Sequence, residues 1–119
     1  MEDINNRKYV GRLIFSVLTE RRNVREAIKL FPESKDVNIE CAYHALVHYA
    51  ADEEMRYIDI EYREAQDDYL EFLALTLSEG KYLPKNIIDE YKSYYKGVAR
   101  GWENGLKGLW KEFCRAINI

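Results

Sequence analysis

Apolar residues recur along this chain at intervals of three and four, the spacing that lines one face of an α-helix. Val10, Leu13, Ile14, Val17 and Leu18 form the first such stripe. Asp3 or Asn5 is placed to cap the helix that carries it, which should fray near residues 21–23. Asn23 then opens an Asn-x-x-Glu run with Glu26, close to a capping box, ahead of Ala27, Ile28, Leu30 and Phe31. Pro32 limits that short helix, because proline lacks the N–H and crowds the preceding turn. Asp36 is the next N-cap. The helix behind it is expected to reach about Met55, with Ala42, Ala45, Leu46 and Tyr49 turned inward.

Residues 57–60 alternate in character and read as a turn or a kink. Another helical stripe follows in Tyr62, Ala65, Tyr69, Phe72, Leu73 and Thr76, and Gly80 is well placed to end it in the left-handed conformation. Pro84 suits the first turn of a further helix carrying Ile87, Ile88, Tyr91, Tyr94 and Tyr95. Val98, Trp102, Leu106, Leu109, Phe113 and Ile117 continue the helical period to the end. No alternating runs flank a turn dipeptide, so strands are not expected. The pattern predicts an all-α fold: one domain over residues 1–119, a compact bundle of four to six helices. Residues of about 37–55 and 60–79 form an antiparallel hairpin within it.

Composition narrows the class. At 119 residues the chain is long enough to bury a core without disulfides or a structural metal. With 47% hydrophobic and 33% charged residues it fits neither a disordered chain nor a membrane protein. Every apolar run is broken by charge before the roughly 18 residues a membrane span needs. The opening Met-Glu-Asp-Ile-Asn-Asn-Arg has no apolar signal segment, and Cys41 and Cys114 lack a C-x-x-C spacing. The expectation is a cytoplasmic protein with reduced thiols.

Charge is distributed in three blocks. Residues 36–80 hold twelve acidic side chains against Arg56 and Arg63, a block of −10, while 1–35 and 81–119 carry +3 and +4. The acidic block also holds Cys41, His44, His48 and Asp52, which fall along one narrow strip of a helix. That strip points away from the predicted core of its own helix, His44 most of all. Glu61, Glu64, Asp68 and Glu71 make a similar strip on the next helix. In an antiparallel hairpin, His48 is level with about residue 68, His44 with about 71 and Asp52 with about 64. His44, His48, Asp52, Glu64, Asp68 and Glu71 are therefore the candidate ligands for a divalent transition metal, the one cofactor the sequence suggests. The paired Glu-x-x-His motifs of di-iron bundles and an H-E-x-x-H motif are both absent, and a solvated charged face is the plainer reading. Cys41 beside His44 is a weak thiol–imidazole pair, and no catalysis is inferred from it.

The C-terminal third offers a second feature. Gly97, Gly101 and Gly105 are spaced by four, although each glycine inside a helix costs about 1 kcal/mol against alanine. Such spacing lets another helix approach closely, either within the fold or across a homodimer. With Trp102, Tyr94 and Tyr95 these glycines are the candidate interface. Aromatics interleaved with Lys92, Lys96, Arg100, Lys107 and Lys111 also suit single-stranded nucleic acid. The basic cluster Arg21, Arg22 and Arg25 near the N-terminus could contact phosphate too, but neutralising the acidic middle segment is the preferred reading, and a net charge of −3 argues against general nucleic-acid affinity. The functional expectation is a small cytoplasmic interaction or regulatory module that forms a homodimer or binds a protein partner. A metal-binding bundle and a nucleic-acid binder using the basic ends are the alternatives.

Overall fold

A computed structural model of the chain describes residues 2–96, with side chains over 3–93. Six α-helices and no strands occur among the described residues: α1 Glu2–Leu18, α2 Val24–Lys29, α3 Val37–Ala51, α4 Glu53–Ile58, α5 Ile60–Ser78 and α6 Lys85–Lys96. The fold is an all-α bundle. The predicted Trp102, Gly97, Gly101 and Gly105 lie outside the described residues, and Tyr94 and Tyr95 lie outside the described side chains.

Local chemistry sets most of the helix ends. Asn23 Oδ1 accepts from Arg25 N at 2.8 Å and caps α2. Asp36 Oδ1 accepts from Asn38 N at 2.9 Å and caps α3. Asp59 Oδ1 accepts from Tyr62 N at 3.1 Å and caps α5. At the far end of α5, Gly80 has φ 76°. Gly80 N donates to Leu77 O at 2.8 Å and Lys81 N to Thr76 O at 3.2 Å, the two bonds of a Schellman motif. Ahead of α6, the Pro84 carbonyl accepts from Ile87 and Ile88. The helix expected to run to Met55 instead stops at Ala51, and a short α4 carries the chain to Asp59, where the backbone is extended.

The longest packing seam joins α1 and α5. Arg7 reaches Gly80, and Gly11 lies against Ala74 and Ser78, so the two helices run antiparallel. Gly11 is where the backbones come closest: a Cβ there would stand 2.4 Å from Ser78 N and 2.8 Å from Ala74 O. Helix α3 crosses this pair, with α2 and α6 also packed against it. Val10, Ile14, Leu46, Leu70, Leu73 and Leu77 are fully buried at the centre. Near the connection the predicted pairing holds, since Asp52 bonds Tyr62 and Gln66 while Tyr49 bonds Asp67, but farther along α3 it does not: Cys41 meets Tyr69, and α5 packs chiefly on α1.

Candidate functional site

The histidine strip of α3 is buried, contrary to the expectation that it faces away from the core. His48 is 1% exposed and Asp52 4%, because α3 is covered by neighbouring helices on several sides and not along one stripe. Burial, and then the positive charge of nearby His44, lower the His48 pKa to about 3. The ring is therefore neutral at physiological pH. His44 is half-buried, and its Nδ1 lies 2.7 Å from the Tyr91 hydroxyl and 3.1 Å from the Glu40 carbonyl oxygen. Burial lowers its pKa against the opposing pull of that carbonyl, which favours the neutral ring.

Helix α5 turns a different face to α3 from the one its carboxylates occupy. Glu64, Asp68 and Glu71 are exposed, whereas Tyr62, Gln66 and Tyr69 are buried. Asp52 accordingly meets hydroxyl and amide donors: Tyr62 Oη donates at 2.6 Å and Gln66 Nε2 at 3.4 Å. Arg56 extends this network. It donates to Gln66 Oε1 at 3.1 Å and to the Tyr49 carbonyl, with its guanidinium 3.5 Å from the centre of the Tyr49 ring. Tyr49 in turn donates to Asp67 at 3.2 Å, and burial followed by the Asp67 charge holds its hydroxyl above the ordinary tyrosine range. The six candidate metal ligands are thus divided between a buried set and an exposed set. No group of three or more His, Cys, Asp or Glu placed to hold a metal ion occurs among the described residues. The Cys41 thiol is buried 3.8 Å from the Tyr69 hydroxyl, and burial pushes its pKa up to about 12, which removes the thiolate a nucleophile needs.

Three surface features surround this interior. A cleft of about 420 Å³ opens between the α2–α3 connection, α3 and α6, lined by Phe31, Glu33, Glu40, Tyr43, His44 and Tyr91. A second, of about 500 Å³, lies over a buried ion pair: Arg7 Nη1 donates to Asp36 Oδ2 at 2.7 Å, and Arg7 Nε to Gly80 O at 3.0 Å. Burial alone would raise the Asp36 pKa, but hydrogen bonds from Asn38 and Arg7 outweigh it and hold the carboxyl below the usual range. Asn38 completes the cluster by accepting from Leu83 N at 2.8 Å, so α1, α3 and the approach to α6 are tied together.

The third feature is the corner between α4 and α5. Tyr57 is 90% exposed, Ile58 76% and Ile60 68%, which places three large apolar side chains in solvent within four positions. Only periodicity breaking at residues 57–60 marked this place in the sequence, and it gave no sign of exposure. Comparisons with protein-family models, curated proteins and solved structures return no match for this chain.

Proposed function

We propose that this chain is a small protein-interaction or regulatory module of the cytoplasm, acting as a homodimer or on another protein, with no chemistry of its own. The observation that carries the reading is the apolar α4–α5 corner. Single exposed apolar residues are ordinary, but a contiguous group of large ones marks an interaction surface. Covering such area returns about 25 cal/mol for each Å² removed from water.

The frame beneath the corner supports the same reading. Asp59 caps α5, Arg56 is bonded inward, and Asp52 anchors the α3–α4 junction to α5. A patch held between this anchored junction and the capped start of α5 loses little conformational entropy when a partner covers it. Native mass spectrometry and sedimentation of the full chain test the proposal, alongside an Ile58→Ser/Ile60→Ser variant. The expected result is a dimer, or a monomer whose corner binds a peptide probe and loses that binding in the variant. A strict monomer whose corner binds no probe would remove the reading.

A further inference from the structure

We infer that the α4–α5 corner docks a cationic amphipathic segment of a partner protein, an inference that rests on the interaction reading above. The apolar patch is rimmed by one sign of charge. Glu53 and Glu54 precede Tyr57 and Ile58 by one helical turn, Asp59 lies between the helices, and Glu61 and Glu64 follow Ile60 within a turn. All five are exposed.

The nearby cations offset this rim only in part, since its five carboxylates stand against Arg25, Arg56 and Arg63. Arg56 is turned inward to Tyr49 and Gln66. Arg63 is exposed and lies 3.9 Å from Asp67. Arg25 of α2 lines a cleft of about 320 Å³ together with Glu53 and Glu54 and offsets part of the charge at that end of the rim. The corner therefore presents apolar contact area inside a negative field, which steers and orients positive partners.

The same charges argue against a second copy as occupant. Two-fold pairing through this corner would bring its two acidic rims together, and like-charge juxtaposition opposes that, so a homodimer would use another face. A helix with apolar residues at i, i+3 and i+4, flanked by lysine or arginine, matches both the apolar centre and the acidic rim.

The test uses the full chain, isotopically labelled, titrated with a synthetic Leu/Lys amphipathic peptide of about 14 residues. A Leu/Glu peptide with the same apolar face is the control. The Leu/Lys peptide should shift amide resonances within residues 53–64 and bind more weakly as salt rises. The Ile58→Ser/Ile60→Ser variant should weaken it by roughly tenfold, from lost apolar burial. Both isoleucines are largely solvent-exposed, so the variant should keep its fold, checked by circular dichroism.

Shifts spread over the acidic surface and indifferent to the serine variant would reduce the effect to charge attraction and overturn the inference. Equal binding of the Leu/Glu peptide would reject a cationic partner but leave the interaction module standing. Corner resonances that move on dilution alone would make a second copy the occupant, with the same consequence. No response at residues 57–60 to either peptide, in a chain that stays monomeric, would overturn both.

Discussion

Gly11 is the residue on which the bundle's main seam depends. Its neighbours across the seam are backbone atoms of Ala74 and Ser78, which cannot rotate away as a side chain would. Helix propensity alone makes alanine better than glycine by about 1 kcal/mol, so an open position would gain stability. Here the methyl group forces α1 and α5 apart, and Gly11→Ala should cost about 3 kcal/mol. Urea denaturation measures it, and a variant as stable as the parent would contradict the close approach. In the sequence, the glycine spacing at 97, 101 and 105 is a visible packing signal, while a lone glycine inside a strong apolar stripe is a fainter one. Arg7 was equally hidden. It stands in a polar N-terminal run, and its bonding partners Asp36 and Gly80 lie 29 and 73 positions away, beyond the reach of local pattern. Replacing Arg7 with methionine leaves the Asp36 carboxylate buried without its counter-charge and should cost about 3–5 kcal/mol in the same assay.

At the scale of elements, several helix ends were legible because capping is local chemistry, although α1 begins at Glu2, ahead of the expected caps Asp3 and Asn5, and α3 stops at Ala51 short of Met55. Asp36, Gly80 and the interruption at residues 57–60 each announce themselves through a side chain or backbone preference that needs no tertiary partner. The register of α3 on α5 was legible only near their connection, where Asp52 meets Tyr62 and Gln66, and not at Cys41, which meets Tyr69. What local pattern did not fix was the rotation of α5 about its own axis. Tyr62, Tyr69 and Leu73 were expected inside and are there, but Gln66, Leu70, Ala74 and Leu77 join them, and the core face is wider than one stripe. That rotation leaves Glu64, Asp68 and Glu71 in solvent and gives Asp52 a phenol and an amide as partners. Asp59 is the test of how far a cap governs the element behind it. Asp59→Ala removes the acceptor for Tyr62 N and should lower stability by about 1 kcal/mol, seen as a drop of several degrees in a thermal melt. The same variant should blur the corner resonances of residues 57–60, because the extended residue that aims them is no longer anchored.

For the whole molecule, surface charge and buried imidazole give opposite responses to acid, and their magnitudes decide the outcome. Protonating the exposed carboxylates of the −10 block relieves self-repulsion, which favours the folded state, but such surface terms are small and are screened by salt. His48 acts the other way. Its folded pKa, about 3, lies below the ordinary value of 6.5, so between these limits the unfolded chain binds a proton that the folded chain does not. Stability is therefore complete with respect to this group above pH 6.5 and falls as pH drops toward 3, by up to about 1.4 kcal/mol per pH unit. His44, also lowered by burial, adds a smaller loss of the same sign. Asp36, held below the usual range by Asn38 and Arg7, extends the loss below the ordinary carboxyl value of 3.8. Urea midpoints recorded at successive pH values from 7 to 4 should fall steadily, and added salt should leave the slope in place because buried groups are little screened. A His48→Gln variant should flatten the curve between pH 6 and 4 while retaining the Asp36 limb below it. A wild-type curve already flat over that interval would mean that His48 takes up its proton in the folded state, and that α3 is less enclosed than its 1% exposure at this position indicates.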